Sequence, residues 1–334
     1  MLKLDTMPVP LTPGTVLRDR YQINKIIGQG GMGCIYLAED LRLEGRLCAV
    51  KEVEYDRALP KEMLVEARAQ FQREATILAR LDHPNLPKVS DFFLEGDRDY
   101  LIMDFVPGKD LRELILEARQ EKTFIPEEKV LDWAKQIGSA LKYLHNQDQP
   151  ILHRDIKPSN LKLTPNGLVK LVDFGLVKML APGEVTITIL QGQGTALYTP
   201  LEQYGGDSGH TDARSDIYAF GGTLYHLLTN EPPVNVRDRF LNPGSLPKIR
   251  EINSDVSGRT ERAVLWALQL HPEDRPKDID TFLKSLFVED APATQPYYSE
   301  RQQPKTIQNP EKLLIILAGG LMVVSFLLTL LRNF

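Results

Sequence analysis

Four short stretches carry residues whose types and spacing suit work on phosphate groups. The first reads Ile27-Gly28-Gln29-Gly30-Gly31-Met32-Gly33-Cys34-Ile35. Glycine has no Cβ, so backbone N–H groups in such a run can come close to phosphate oxygens. The second, Cys48-Ala49-Val50-Lys51, ends a β-type run on an ammonium. A carboxylate on the helical stretch that follows could aim this lysine at phosphates, and Glu74 is the candidate beside the weaker Glu62 and Glu66. The third is His153-Arg154-Asp155-Ile156-Lys157-Pro158-Ser159-Asn160. There Asp155 can accept a hydroxyl proton, Lys157 can neutralise a transferring phosphoryl group, and Asn160 can hold Mg²⁺. The fourth, Asp173-Phe174-Gly175, places another hard oxygen ligand for Mg²⁺ after the apolar run LVKLV. A Gly-rich turn, a lysine on a strand or a lone Asp-Phe-Gly has an ordinary structural explanation. Their joint order along one chain points to phosphoryl transfer, in which the protein positions, clamps and neutralises and does little covalent work.

Elements able to hold these residues follow from periodicity. The first part alternates β-type runs (CIYLA, LCAVKEV, YLIMDFV) with one helical pattern over 62–81. The Gly-rich run lies between two β-type runs, as a hairpin, whereas a dinucleotide fold would have it open a helix. After Gly108 helices dominate; Val130, Trp133, Ala134, Ile137, Leu141 and Leu144 fix one over 127–146. Short strands return as LKL and LVKLVDF around the turn at 165–167. A strand-rich first lobe and a helical second lobe predict an α+β architecture with a ligand cleft between them.

The chain has 334 residues, 42% hydrophobic and 25% charged, with a net charge of −5. That balance suits a globular domain and gives no basic field for nucleic acid. Cys34 and Cys48 show no disulfide or zinc spacing and fit a reducing compartment as packed thiols. Residues 1–15 are expected to be flexible and lack a signal-peptide core. The globular domain is expected over 16–288, and a disordered linker over 289–312, where Pro, Gln and mixed charges prevail. Residues 313–331, LLIILAGGLMVVSFLLTLL, carry no charge, and as a helix they reach roughly 30 Å, enough for one transmembrane pass. Arg301, Lys305 and Lys312 precede the span and Arg332 follows it, so the globular domain is expected in the cytosol on a C-terminal membrane anchor with no sensor domain beyond.

Taken together, the four stretches resemble the eukaryotic-like serine/threonine protein kinases from about Tyr21 to Phe287, and Gly-Gly-Met-Gly is most similar to the bacterial branch. The resemblance implies the two-lobed protein kinase fold, with a β-rich N-lobe and a helical C-lobe, and with ATP and Mg²⁺ between them. It favours Glu74 as the partner of Lys51, places Met103 at the back of the adenine pocket, and makes 104–106 the hinge. Nucleotide contacts are then implied for 27–35, Ala49, Lys51, Asp104 and Val106, and metal contacts for Asn160 and Asp173. His153 is implied to be structural. Lys157 and Thr195 imply a serine/threonine acceptor, with Thr195 bracing Asp155 and Lys157. Asp216 is implied to support the loop around Asp155, and Glu202 to pair with Arg275. Protein substrates are implied, as is transient self-association for autophosphorylation at Thr186 and Thr188, where Arg154 awaits the added charge. Two departures stand out: Pro200-Leu201-Glu202 shifts the proline of the family's A-P-E, and Lys162 occupies the apolar floor beneath adenine. The stem of Lys162 can still cover the ring while its ammonium reaches outward. A scaffold without catalysis is disfavoured, because Lys51, Glu74, Asp155, Asn160 and Asp173 are all present. A small-molecule phosphotransferase is disfavoured by the peptide-docking stretch GTALYTPLEQY.

Overall fold

Apolar residues at a period of two build the first half of the chain into a sheet. The structure is a computed structural model that describes residues 10–30, 33–53, 55, 60–173, 196–204 and 211–288. Among them, β1 (Val16–Leu17), β2 (Tyr21–Gly30), β3 (Gly33–Asp40), β4 (Leu47–Val53), β5 (Val89–Glu95) and β6 (Arg98–Asp104) form one antiparallel sheet in the order β1-β2-β3-β4-β6-β5. Helix α1 (Lys61–Ala79) crosses it and packs beside β5.

Both faces of this sheet are covered. Ala49, Val53, Leu101 and Met103 join Phe71, Ala75 and Leu78 of α1 in the main core. On the other face Tyr21, Ile23, Cys34, Tyr36, Cys48, Val50, Phe93, Tyr100 and Ile102 form a second core, with Leu11 packed against it. Strands buried on both sides read as nearly unbroken apolar runs, as LCAVKEV does. Deleting a side chain such as Phe71 would cost about 3–5 kcal/mol. The β2–β3 hairpin is the Gly-rich run, with Gly30 paired to Gly33. Gly33 sits at φ 135°, and a Cβ there would overlap the carbonyl oxygen of Glu52. Only glycine lets the hairpin lie this close to β4.

The second half is helical. After β7 (Lys109–Asp110) comes α2 (Leu111–Gln120), whose N-terminus is closed by a capping box between Asp110 and Glu113. Helix α3 (Glu127–His145) carries Glu127 and Glu128 in its first turn and Lys142 and His145 in its last, which complements the helix dipole. Strands β8 (Leu161–Leu163) and β9 (Val169–Leu171) complete a small antiparallel sheet with β7. Helix α4 (Ala213–Thr229) starts at Asp212, which accepts from Arg214 N at 2.8 Å, and stops at Asn230 in the left-handed conformation. Nearly every residue of α4 is buried, so it forms the axis of the lobe. Around it lie α5 (Val236–Leu241), α6 (Ile249–Ile252), α7 (Gly258–Ala267) and α8 (Ile279–Phe287). Gly221 lets α4 approach α7 at Ala267, where a Cβ would come within 2.7 Å.

The two-lobed α+β expectation is met, and the helices expected over 62–81 and 127–146 are found at Lys61–Ala79 and Glu127–His145. Among the described residues no helix is long and apolar enough to cross a membrane. The expected span over 313–331 and the linker over 289–312 lie outside the described residues, as do residues 1–9 of the expected flexible N-terminus.

Candidate active site

Asp216 near the start of α4 organises the site from below. It is fully buried, and its carboxylate accepts backbone N–H bonds from His153 and Arg154, each at 2.8 Å, and a ring N–H from His145 at 2.9 Å. Burial alone would raise this carboxyl, but His145, His153 and the N–H of Arg154 outweigh it and hold it below its ordinary value. His145 was missed by sequence reasoning, and its one signal is its place at the end of a helix that runs toward the loop. The loop is bent by Arg154 at φ 63°, the kind of local strain that persists when surrounding bonds over-determine it. His153 is buried and its Nδ1 accepts the backbone N–H of Asp155 at 3.4 Å, which gives it a structural place.

On that loop the chemistry-bearing groups converge. Lys157 Nζ and Asn160 Nδ2 both donate to Asp155 Oδ2, each at 2.9 Å, and Asn160 Nδ2 also donates to the backbone oxygen of Asp155 at 2.8 Å. The backbone N–H of Val172 donates to Asn160 O at 2.8 Å, which brings the start of the Asp-Phe-Gly stretch alongside. Asp173, at φ 61°, then reaches the ammonium of Lys51 and forms an ion pair with it. Lys51, Asp173, Asn160, Asp155 and Lys157 are thus linked across the two lobes, with the backbone of Val172 as the step between Asp173 and Asn160.

The expected Lys51–Glu74 pair is not formed. Glu74 Oε1 accepts from Gln70 Nε2 at 2.7 Å, one turn earlier on α1, while Lys51 bonds Asp173. Burial raises the Glu74 carboxyl, and neither the Gln70 bond nor the charges of Arg154 and Arg73 fully offset it. Cys34 is a packed thiol, as expected. Alternation along β3 sends its side chain into the outer core, away from the face of Lys51. Ile35 and Ala49 lie on the inner face, with Ala49 opposite Met103 in register, and Val106 is buried. Asp104 accepts the backbone N–H of Lys88 at 3.2 Å. Ile27 is exposed, and Gly28 and Gln29 lie on β2 beside it. Gly31, Met32, Thr186, Thr188 and Thr195 lie outside the described residues.

Residues 196–204 form a platform held to α4 by the Tyr198–His226 and Glu202–Ser215 bonds. Glu202 and the buried Arg275 make a bidentate pair at 2.6 and 3.0 Å, and Ser215 Oγ donates to the same carboxylate at 2.7 Å. The proline shift at Pro200 leaves this pair intact, with a short helical turn at Leu201–Gln203.

The protein kinase domain family matches residues 21–292. This chain belongs to that family. It is similar to bacterial serine/threonine kinases: 34% identical over 280 residues to a probable serine/threonine-protein kinase of Clostridium acetobutylicum, covering 82% of this chain and 40% of the relative. It is also 33% identical over 269 residues to the serine/threonine-protein kinase PknB of Mycobacterium leprae, covering 78% and 41%. The chain therefore matches about two fifths of the length of these relatives. Among solved structures, the apo form of PpkA-294 superposes with a TM-score of 0.67 at 29% identity, covering 83% of this chain and 99% of that one. The kinase domain of Mycobacterium tuberculosis PknI does so at 0.63 and 27%, covering 83% and 98%. The domain is thus a eukaryotic-like serine/threonine kinase domain of the bacterial branch.

The kinase family implies Mg²⁺, and the donor set here fits that ion. The amide nitrogen of Asn160 is spent on Asp155, which leaves its amide oxygen as a hard ligand, and the backbone of Asn160 is bonded to Val172, the residue before Asp173. One carboxylate plus substrate phosphates is the usual manner of Mg²⁺ binding. Lys162 pairs in register with Asp110 on the small sheet, and its ammonium donates to Gly108 O at 3.3 Å, just past the hinge. The long aliphatic stem carries the charge to this carbonyl. Lys162→Leu is therefore expected to bind ATP at least as tightly as the wild type, checked by titration calorimetry. A large loss of affinity would show that the ammonium itself contacts the nucleotide.

Proposed function

We propose that this chain transfers the γ-phosphate of ATP to serine and threonine hydroxyls of proteins. The observation that carries the reading is the convergence of Lys51 on Asp173, of Val172, next to Asp173, on the backbone of Asn160, and of Asn160 and Lys157 on Asp155. Asp155, oriented by Lys157 and Asn160, takes the acceptor hydroxyl's proton. Lys157, beside it, neutralises charge that develops on the transferred group. Lys51 holds the nucleotide phosphates, and the Gly-rich hairpin covers them with backbone N–H groups. Bound at Asn160 and Asp173, Mg²⁺ supplies charge neutralisation across the phosphates. Thr195 braces Asp155 and Lys157 on this reading, and 196–204 docks the acceptor peptide.

The membrane anchor over 313–331 is part of the proposal, supported by an uncharged 19-residue run behind a polar linker. Confinement to a membrane surface raises encounters between copies and favours phosphorylation of Thr186 and Thr188 in trans. One experiment tests these points together. The full chain in lipid vesicles and a chain ending at residue 312 are given labelled ATP, Mg²⁺ and a generic protein acceptor, and the phosphates are mapped by mass spectrometry. The shortened chain is expected to stay in the supernatant and to transfer phosphate, while the full chain floats with the vesicles and carries phosphate at Thr186 or Thr188. Unfolding of the shortened chain would make the tail a core element. A full chain that never associates with vesicles would remove the anchor.

A further inference from the structure

Helix α2 borders the platform and presents Arg112, Glu113, Leu116, Arg119 and Gln120 to solvent, while Leu111, Ile115 and Ala118 face the core. The exposed charges are nearly all spoken for. Glu113 reaches back to the backbone N–H of Asp110 at 2.7 Å. Glu117, half-buried on the same helix, accepts from Lys109 Nζ at 2.5 Å, and Arg119 meets Glu231, just past the end of α4, at 3.0 Å. The Asp110 carboxylate accepts the backbone N–H of Glu113 at 3.0 Å. Among the described residues, the guanidinium of Arg112 makes no hydrogen bond or ion pair, while its backbone N–H donates to the Asp110 carboxylate.

Arg112 stands close to a fixed, largely buried pair. The hydroxyl of Tyr198, in the platform, and Nδ1 of His226, on α4, share a hydrogen bond at 2.6 Å, and their rings are stacked at 6.2 Å. Tyr204 OH donates to Ala196 O at 3.2 Å, so the platform is tied at both ends. The field of Arg112 reaches Tyr198 and His226 alike. His226 is pushed down to about 4, by burial first and then by Arg112 and Arg119. Its ring is therefore neutral near pH 7 and accepts the Tyr198 proton, and the positive charge on this face comes from the arginine. Asn230 Nδ2 donates to Thr123 O at 2.7 Å, which with Arg119–Glu231 locks α2 against α4 and fixes where Arg112 stands.

We infer that Arg112 makes the docking face selective for acceptor segments that carry a carboxylate close to the reacting hydroxyl. The inference rests on the phosphotransfer reading and on 196–204 as the docking platform. An exposed guanidinium with no side-chain partner, beside a rigid, uncharged and largely buried Tyr–His pair, offers a bidentate site to Asp or Glu and repels Lys or Arg. Because Arg112 is exposed, the preference is modest at ordinary salt and weakens as salt rises.

The test uses the full chain with ATP, Mg²⁺ and threonine peptides that differ only in having Glu, Gln or Lys at one flanking position, scanned over three residues on each side. The wild type is expected to show a KM about fivefold lower for the Glu peptide than for the Lys peptide at one or more positions, with similar kcat. Arg112→Glu should invert that order, and Arg112→Lys should keep it. An inverted preference is a gain that damage to the fold would not produce. Equal KM values for all wild-type peptides, or an Arg112→Glu enzyme that keeps the preference for Glu, overturns the inference and leaves the phosphotransfer reading standing. Failure of the wild type to phosphorylate any peptide or protein acceptor would bring down that reading and this inference with it.

Discussion

Asp155→Asn is expected to lower turnover by about 10²–10⁴-fold while leaving the KM for ATP nearly unchanged. The two side chains are nearly isosteric, and an asparagine oxygen can still receive Lys157 and Asn160, which now bond Asp155 Oδ2. The loop is held chiefly by Asp216, through the backbone N–H groups of His153 and Arg154, and those bonds do not involve the Asp155 side chain. Geometry should therefore survive while the group that takes the acceptor proton is lost. Single-turnover kinetics with a threonine peptide, together with a thermal melt, check both halves. A folded variant with wild-type turnover would remove Asp155 from the role of proton acceptor.

Arg275→Ala is expected to destabilise the domain by about 3–5 kcal/mol, the usual consequence of removing one member of a buried ion pair. The guanidinium side chain is fully buried and serves more than Glu202. It also donates to the carbonyls of Gln269, Leu270 and Arg214 at 2.8, 2.9 and 3.1 Å, and lies 4.8 Å from the centre of the Tyr218 ring. Truncation leaves a buried carboxylate and three carbonyls short of a donor. Lysine keeps the charge but cannot reproduce the planar fork, so Arg275→Lys should recover only part of the loss. Urea unfolding of the three proteins measures the series. A shift below about 1 kcal/mol for the alanine variant, the ordinary size for an exposed ion pair, would show that the pair is not a structural anchor.

How much of this could be read from sequence depended on the range of the interaction. The loop from His153 to Asn160 was readable because its partners lie within a few residues, so spacing alone brings Lys157 and Asn160 to Asp155. The Glu202–Arg275 pair, far apart in sequence, was reached through the family pattern and found in place. Lys51–Glu74 was not, because the pattern names which residues can meet and not which partner each holds. Gln70, on the same helix, and Asp173, from the other lobe, decide that here. Cys34 was assigned by its place in the Gly-rich run, whereas strand alternation and the apolar cover on the far face turn its side chain outward. His145 and Arg112 carry no motif; the first is known by its bond to Asp216 and the second by a guanidinium that no side chain among the described residues meets.

The Lys51–Asp173 bond has a thermodynamic consequence for the cleft. While it holds, an ammonium and a carboxylate neutralise each other, and an anion or a cation that enters alone must compete with a charge of its own sign for one of them. Once an anion takes Lys51, Asp173 is released as a ligand for a cation, and the converse holds when a cation takes Asp173. Occupancy by one species therefore raises affinity for the other by the same factor, whichever arrives first. The cleft behaves as a salt-pair receptor whose two halves report on each other, before any phosphate moves.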